Sequence, residues 1–248
     1  MPLSGSVRAL LFLAGASSLA PVLAAGHWGY AGHGAPAHWA ELTKDYATCK
    51  LGRTQSPIDI HGAKAADLPA IQFDYKPAPL KVIDNGHTIQ VNYAPGSTID
   101  VGGTKYELQQ FHFHKPSEEK IDGKAHDMVA HLVHKSADGK LAVVAVLLDK
   151  GGANPAIATI WKNLPKAKEQ ETAVDATIDA SSLLPADKGY YSFQGSLTTP
   201  PCSEDVRWFV LKTPVKIEPA QLAAFGKLYP MNARPTQPLN GRTIEATR

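Results

Sequence analysis

Histidine and phenylalanine alternate along the segment Gln110-Phe111-His112-Phe113-His114. Successive side chains of a β-strand point to opposite faces, so the segment predicts a strand with both histidines on one face and both phenylalanines on the other. Two neighbouring imidazoles with aromatic rings packed behind them can bind a metal ion. Two histidines paired within a core are the alternative, because an H-x-H segment alone is a weak signal.

A third histidine, His131, follows His114 by 17 residues. The turn signal Asp122-Gly123 lies between them, so the separation predicts a hairpin whose returning strand brings His131 opposite His112 and His114. Three histidine nitrogens with one open position are the composition of a catalytic zinc site, whereas structural zinc sites have four protein ligands. The hairpin is therefore predicted to carry a metal site.

The period of two also separates His134 from His131, although the two are close in sequence. Val129, His131 and Val133 share one face of the returning strand, and His134 lies on the other face. We therefore expect His134 to pack in the core with a hydrogen-bonded ring. Val133 is expected to line the metal cavity.

Short alternating or apolar runs, separated by turns rich in glycine, asparagine and proline, recur along most of the chain. The predicted strands are Leu80–Asp84, His87–Tyr93, Ser97–Val101, Thr104–His114, Asp127–His134, Leu141–Asp149, Tyr190–Phe193 and Val206–Leu211. Helical patterns are confined to Asn154–Asn163 and to Pro219–Leu228. The 248 residues, 44% of them hydrophobic, thus predict a mostly β protein with few short helices. The formal charge of +2 without a basic cluster gives no indication of a nucleic-acid partner.

The N-terminus has the pattern of a secretory signal peptide. Arg8 precedes a short apolar run, and a segment of small residues ends at Ala24-Ala25, so residues 1–25 are predicted to be removed. An uncleaved anchor is the alternative, although the run is too short to span a bilayer. Export leads to an oxidising compartment, where Cys49 and Cys202 are expected to form one disulfide, two separate buried thiols being the alternative.

Several further motifs, in their order along the chain, resemble the α-class carbonic anhydrases. Besides the histidine segments, these motifs are Gln55-Ser56-Pro57-Ile58-Asp59-Ile60, Asn85-Gly86-His87, Gly195-Ser196-Leu197-Thr198-Thr199-Pro200-Pro201 and Asn232-Ala233-Arg234-Pro235. The resemblance runs from about His27 to Arg242, so we expect residues 26–248 to form a single domain of this type. It implies a large, twisted, mainly antiparallel central sheet with short helices around it. The short spacing and the signal segment are similar to exported bacterial members, which implies a periplasmic protein, with full secretion as the alternative.

The resemblance also implies a chemistry for the histidines. One Zn²⁺ per chain would be bound by His112, His114 and His131, and a zinc-bound hydroxide would hydrate CO₂ reversibly to bicarbonate and a proton. Weak esterase activity is expected on the side, because such a nucleophile also attacks activated esters. A silent binding protein of the same fold and a different zinc hydrolase, such as an esterase, are the rival interpretations. The complete ligand set argues against the first rival, and a narrow apolar pocket against the second.

Three residues match the family's catalytic positions. Thr198 matches the threonine that accepts a hydrogen bond from the zinc-bound hydroxide, and Glu118 matches the glutamate that accepts from that threonine. His87 matches the proton shuttle, since an imidazole with a pKa near 6.5 can take up and release protons near neutral pH. Taken singly, these residues would be assigned to a turn, a loop and the surface.

The resemblance further implies which residues bind the substrate. CO₂ carries no charge, so a small apolar niche suits it, and ordinary core packing is the alternative assignment for the apolar members. The implied substrate-binding residues are Val133, Val143, Leu197, Thr198, Thr199 and Trp208. Gln110 matches a residue that orients the ring of His112. Asn232 matches a position whose backbone carbonyl accepts a hydrogen bond from His114.

One position departs from the family pattern. Most members have glutamate two residues before the third ligand, where its carboxylate supports the ring nitrogen of that ligand; this chain has Val129 there. We therefore expect His131 to use another acceptor, such as water or backbone. Zinc affinity or hydration rate would then be lower than with glutamate by up to about 10–100-fold. A Val129→Glu substitution is expected to raise zinc affinity.

The resemblance also implies that Cys49 and Cys202 form the disulfide seen in exported members. Because Cys202 follows Pro201, the bond would tether the loop that carries Thr198 and Thr199. A small-molecule substrate is the implied partner, with neither nucleic acid nor a membrane span in the mature chain. The sequence leaves the oligomeric state open, a homodimer included.

Overall fold

The structure is a computed structural model that describes residues 27–248, and the predicted signal segment lies outside these residues. It is built mainly of strands, as expected from the alternating pattern. The strands are β1 (Asp59–Ile60), β2 (Lys64–Ala66), β3 (Gln72–Asp74), β4 (Ala78–Asp84), β5 (Ile89–Asn92), β6 (Thr98–Val101), β7 (Thr104–His114), β8 (Lys120–Ile121), β9 (Lys124–Ala125), β10 (Met128–Ser136), β11 (Leu141–Lys150), β12 (Thr172–Ile178), β13 (Tyr190–Gly195), β14 (Val206–Leu211), β15 (Val215–Ile217) and β16 (Glu245–Thr247).

The helices are few and short. They are α1 (Trp39–Leu42), α2 (Thr48–Leu51), α3 (Pro155–Lys162) and α4 (Pro219–Leu228), with 3₁₀ turns at Gly32–Gly34, Pro36–His38, Lys44–Tyr46 and Ala180–Leu183. Asn154 begins α3 because its side chain accepts a hydrogen bond from Ile157 N. Glu218 and Gln221 form a capping box at the start of α4. In the described part of the chain, no helix combines the length and apolarity needed to cross a membrane.

One large sheet organises the fold. Its main path runs in the order β12-β4-β5-β7-β10-β11-β14-β13-β16-β2, and β3, β6 and β15 attach beside it. Most neighbours are antiparallel, whereas β11 pairs with β14 and β15, and β16 pairs with β2, in parallel. The prediction of a mostly β fold with a mainly antiparallel central sheet is confirmed.

Strands β7, β10 and β11 form the centre of this sheet. On β7, Phe111 and Phe113 are fully buried in the main apolar cluster, as the alternation predicts. The opposite face carries a smaller cluster that includes Val129 and Val143, with Val133 packed against it. His112, His114 and His131 lie on this second face, so the sheet itself separates the site from the main core.

Most predicted strands are present, with adjusted ends. The strand predicted over His87–Tyr93 is shorter, because Asn85 Oδ1 accepts hydrogen bonds from the backbone N–H groups of His87 and Thr88 and holds them in a turn. Strand β12 was not predicted; its side chains are alternately exposed and half-buried along most of its length, so its apolar pattern is weak. The helix predicted over Asn154–Asn163 occupies Pro155–Lys162, and α4 has the predicted ends.

The N-terminal part of the described chain packs against the loop after β13 through a separate small cluster. Trp39, Cys49 and Cys202 form its buried part, and Trp39 Nε1 donates hydrogen bonds to the carbonyls of Gly29 and Gly34. Cys49 and Cys202 form a disulfide with Cα atoms 5.0 Å apart. The predicted pairing of the two cysteines is thus confirmed, and it is consistent with an exported protein.

Candidate metal centre and its cavity

Three histidine rings converge on the face of the central hairpin that lies opposite Phe111 and Phe113. His131 on β10 lies directly opposite His112 on β7, and His114 is two residues further along β7 on the same face. One ring nitrogen from each histidine lies within 4.8 Å of the other two. The arrangement follows from the strand period and the antiparallel register, as the sequence predicted.

The rings of His112 and His114 are held from behind. Gln110 Oε1 lies 2.8 Å from His112 Nδ1, and the Asn232 carbonyl oxygen lies 2.7 Å from His114 Nδ1. These acceptors fix each ring with Nδ1 as the donor, which leaves the Nε2 atoms as free lone-pair donors. His114 Nε2 is buried and makes no hydrogen bond within residues 27–248.

His131 is oriented the other way round. Its Nε2 lies 3.1 and 3.2 Å from the two carboxylate oxygens of Glu119, which leaves Nδ1 for the centre of the cluster. The other acceptor that His131 was expected to use is therefore Glu119 and not water or backbone. Val129 is fully buried in apolar surroundings, but Glu119 reaches the ring from the loop that precedes β8. Glu119 was not among the residues predicted to bear on the site, although a second glutamate beside Glu118, in a chain that lacks the usual glutamate at position 129, is a usable signal.

The electrostatics favour neutral rings at two of the three positions. Burial, with the charge of His131 added, lowers the pKa of His112 to about 3. Burial also lowers the pKa of His114 well below its usual value, and the charges of His131 and His112 add to this. For His131, burial lowers the pKa, but the charge and hydrogen bond of Glu119 and the charge of Glu118 outweigh it, so the pKa is raised. Neutral imidazoles are the forms that bind metal ions.

These features fit a divalent cation such as zinc. Three imidazole nitrogens point to one centre, and each ring is fixed from its far side. One of these nitrogens, His114 Nε2, is buried and has no partner among residues 27–248. Imidazole ligands suit zinc, and three protein ligands leave a position open for a reacting molecule. His112, His114 and His131 are the residues that would hold the ion.

Glu118 lies behind the histidines and is almost fully buried. Its Oε1 accepts a hydrogen bond of 2.7 Å from the Arg234 backbone N–H. Burial, reinforced by the charge of Glu119, raises the pKa of Glu118 to about 7, and His131, the Thr198 side chain and the Arg234 N–H act against this rise. Glu118 Oε2 is buried and has no hydrogen-bond partner among residues 27–248, so its pairing with Thr198 stays a prediction.

An apolar cavity of about 240 Å³ opens beside the histidines. It is lined by Gln110, His112, His131, Val133, Leu141, Val143, Leu197, Thr198, Thr199 and Trp208. All six residues that the resemblance implied for substrate binding are in this lining, and Leu141 is an addition. The Trp208 Nε1 donates to the Ser196 carbonyl, which fixes the indole with its apolar surface at the wall.

His87 lies apart from the residues that line this cavity. Its ring stacks on Trp28, with centroids 3.6 Å apart, and the His27 ring is 5.6 Å away. Burial, with the charges of His27 and Lys168 added, lowers the pKa of His87. The neighbouring Trp28 and His27 were not predicted to bear on the site.

Arg234 connects the metal centre to the loop after β13, which carries Thr198 and Thr199. The sequence had not predicted a role for Arg234. Its guanidinium donates to the Cys49 carbonyl, the Ser56 carbonyl and Gln55 Oε1 at 2.7 to 2.9 Å. Gln55 Nε2 in turn donates to the Cys202 carbonyl. The disulfide, Arg234 and the loop after β13 thus form one hydrogen-bonded unit.

Comparison with known proteins agrees with this geometry. Residues 34–248 match the sequence profile described as eukaryotic-type carbonic anhydrase. A carbonic anhydrase from Nostoc sp. is 46% identical over 224 residues, covering 88% of this chain and 85% of the relative. A hyperthermostable carbonic anhydrase identified from an active hydrothermal vent chimney superposes with a TM-score of 0.87 at 45% identity, covering 90% of this chain and all of the other. The α-carbonic anhydrase of Thermovibrio ammonificans, solved with the inhibitor sulfanilamide, gives a TM-score of 0.85 at 41% identity, covering 90% of this chain and 99% of the other.

Proposed function

Because this chain belongs to the eukaryotic-type, or α-class, carbonic anhydrase family, we propose that it hydrates CO₂ reversibly to bicarbonate and a proton at the centre formed by His112, His114 and His131. One Zn²⁺ per chain is the proposed cofactor. The observation that carries the proposal is the convergence of three fixed imidazoles next to a small apolar cavity. The histidines would bind the metal, and the cavity would bind the CO₂.

The histidines hold the ion, and their neighbours set the ring nitrogen that each one offers. When bound, zinc acts as a Lewis acid that makes a nucleophilic oxygen available at neutral pH. Gln110 and the Asn232 carbonyl direct Nε2 of His112 and His114 to the centre, and Glu119 directs Nδ1 of His131. The protein thereby prepares the donor set before the ion arrives, which reduces the rearrangement needed on binding.

Thr198 and Glu118 are proposed to orient the attacking oxygen. The Glu118 carboxylate is kept in place by the Arg234 N–H, and its second oxygen is proposed to take the hydrogen bond of the Thr198 hydroxyl. Thr198 Oγ1 is then available only as an acceptor on its cavity side, so it selects one orientation of the reacting group. Such positioning is worth several powers of ten in rate because the reacting atoms need no further search.

The apolar wall is proposed to bind CO₂ without holding it tightly. Val133, Val143, Leu197 and Trp208 offer no charge or hydrogen bond to the substrate. Thr199 is the neighbouring polar residue and is proposed to contact the substrate at the cavity edge. A wall of this kind also excludes bulky esters, so an esterase activity would be weak and limited to small, activated substrates.

His87 is proposed to carry the product proton to buffer. Its lowered pKa means that the ring is neutral at pH 7 and can accept a proton. Since His87 is not in the cavity lining, the transfer would run through water molecules between the centre and the ring. We also propose that the protein is exported, that residues 1–25 are removed, and that residues 26–248 form one periplasmic domain.

Stopped-flow CO₂ hydration by the mature protein tests the proposal against a His112→Ala variant. We expect fast hydration that His112→Ala abolishes, and a His61→Ala variant, altered at an exposed histidine, to behave like wild type. A wild-type protein that retains zinc without hydrating CO₂ would instead be a silent binding protein of this fold. Equal rates for wild type and His112→Ala would contradict the proposed site.

A further inference from the structure

Two consecutive carboxylates, Glu118 and Glu119, are buried behind the metal centre. Glu119 is 0% exposed and Glu118 is 2% exposed. A buried carboxylate is costly unless hydrogen bonds or opposite charges compensate it, so each of the two needs a partner. Glu118 receives the Arg234 N–H, and Glu119 has the ring nitrogen Nε2 of His131 within reach of both its oxygens.

The backbone around Glu119 is fixed by its neighbours. Ser117 Oγ donates a hydrogen bond of 2.6 Å to the Glu119 carbonyl and accepts one from the His126 N–H. The following residue, Lys120, pairs with Asp59 of β1 in parallel. The side chain therefore enters the site from a rigid loop end, and a site built on fixed backbone holds its ligands in a narrow range of geometries.

The strand position from which a carboxylate would otherwise reach His131 is apolar in this chain. Val129 lies on the same face of β10 as His131, two residues before it, and is fully buried among apolar side chains. Most family members have a glutamate at this position, and its carboxylate accepts the hydrogen bond of the third histidine ligand. In this chain a residue from another segment must accept the hydrogen bond of His131 Nε2.

We propose that Glu119 is the positioning residue of His131, so that the supporting carboxylate has moved from the strand position 129 to the loop before β8. By accepting a hydrogen bond from Nε2–H, Glu119 fixes the ring with its Nδ1 lone pair directed at the other two histidines. A carboxylate on the far nitrogen also makes the ring a stronger electron donor to a metal. The inference rests on the proposed zinc site and adds to it the residue that supports the third ligand.

The test measures zinc affinity by competition with the chelator dipicolinate. Glu119→Gln keeps the shape of the side chain and removes its charge, and we expect its zinc affinity to be lower by about 10–100-fold. The matched control is Glu171→Gln, which removes a carboxylate from an exposed position and should leave affinity unchanged. Zinc affinity within twofold of wild type in Glu119→Gln would overturn the inference.

A transposed variant separates positioning from mere structural support. In Glu119→Val, Val129→Glu the carboxylate returns to the strand, and we expect zinc affinity to recover to within about tenfold of wild type. The visible spectrum of the Co²⁺-substituted protein should recover with it. Weak binding in both Glu119→Gln and the transposed variant would overturn the inference, since the loop residue would then serve only packing. A wild-type protein that binds no zinc would overturn the proposed function instead.

Discussion

The imidazole of His87 stacks on the indole of Trp28, with ring centroids 3.6 Å apart and planes 10° from parallel. The contact covers one face of the only histidine that the resemblance assigns to proton transfer. Burial is the main cause of the lowered pKa of His87, and the charges of His27 and Lys168 add to it. The stacked indole thus contributes to the burial that lowers the pKa of the proposed proton carrier.

Trp28→Ala should therefore raise the pKa of His87 towards 6.5, because the variant exposes one face of the ring to water and reduces the burial that is the main cause of the shift. The pKa is read from the His87 ring signal in an NMR titration, assigned with His87→Ala. A His87 pKa that stays the same or falls in Trp28→Ala would contradict the burial argument.

His87→Ala should slow hydration in dilute buffer by about 10²-fold, as expected when a proton-transfer group is lost. Imidazole added to the solution should restore much of the rate, because it can take the proton from the cavity directly. Zinc content should be unchanged, since His87 is separate from the metal ligands. If the rate is independent of both the substitution and the added imidazole, His87 does not carry the proton.

Filling the cavity should reduce hydration without loss of metal. Val143 pairs with Val133 across β10 and β11 and lines the 240 Å³ cavity, so Val143→Phe would occupy the space proposed for CO₂. We expect hydration to fall by about 10²-fold as the substrate is displaced. Val143→Ile, a smaller change, serves as the control. Full activity in Val143→Phe with zinc bound would show that CO₂ does not use this wall.

Loss of the disulfide should destabilise the protein. Cys49 and Cys202 are separated by 153 residues, and the chain-entropy treatment of such a loop gives about 4–5 kcal/mol. The double variant Cys49→Ser, Cys202→Ser should unfold at lower urea concentration. It should also lose activity, because Cys202 N donates to the Thr199 carbonyl in the loop at the cavity. Identical urea midpoints and rates for the variant and wild type would refute this role.

Buried His134 should make stability depend on acid. Burial lowers its pKa to about 3, against the opposing backbone contacts of Ala142 and Leu132, and Tyr75 Oη lies 2.8 Å from its Nε2. Between pH 6.5 and about 3 the unfolded chain binds a proton at this ring that the folded protein does not bind. As the pH is lowered through this range, this group should therefore reduce the free energy of unfolding by about 1.4 kcal/mol for each pH unit.

Urea unfolding of apoprotein across this pH range measures the effect. His134→Gln should have a shallower decline than wild type by the contribution of one proton, whereas His61→Gln, altered at an exposed position, should follow wild type. Parallel curves for wild type and His134→Gln would exclude His134 as a source of acid sensitivity.

The part of the site that lies on one hairpin could be predicted from the sequence. The faces of His112 and His131 follow from a period of two, and their pairing follows from a turn between two strands, both of which are local properties. The same reasoning placed His134 on the far face and Val133 in the cavity lining. The topology of the sheet could not be obtained in this way and came from the resemblance.

Contacts between distant segments were beyond this reasoning. Glu119 reaches His131 because its loop is pinned to β1, and no pattern within the loop predicts that pairing. Arg234 contacts Cys49, 185 residues earlier in the chain. Strand β12 was not predicted for a related reason. Its side chains are exposed or half-buried along most of its length, so its apolar alternation is weak, and the strand is defined by its pairing with β4.

Titration of metal-free protein with zinc, followed by stopped-flow CO₂ hydration at each step, tests the central claim most directly. The account predicts that hydration is absent without zinc, rises in proportion to added zinc, and stops rising at one zinc per chain. The same titration of His112→Ala should give no activity at any point. Hydration in the metal-free protein, or one bound zinc per chain without hydration, would contradict the account.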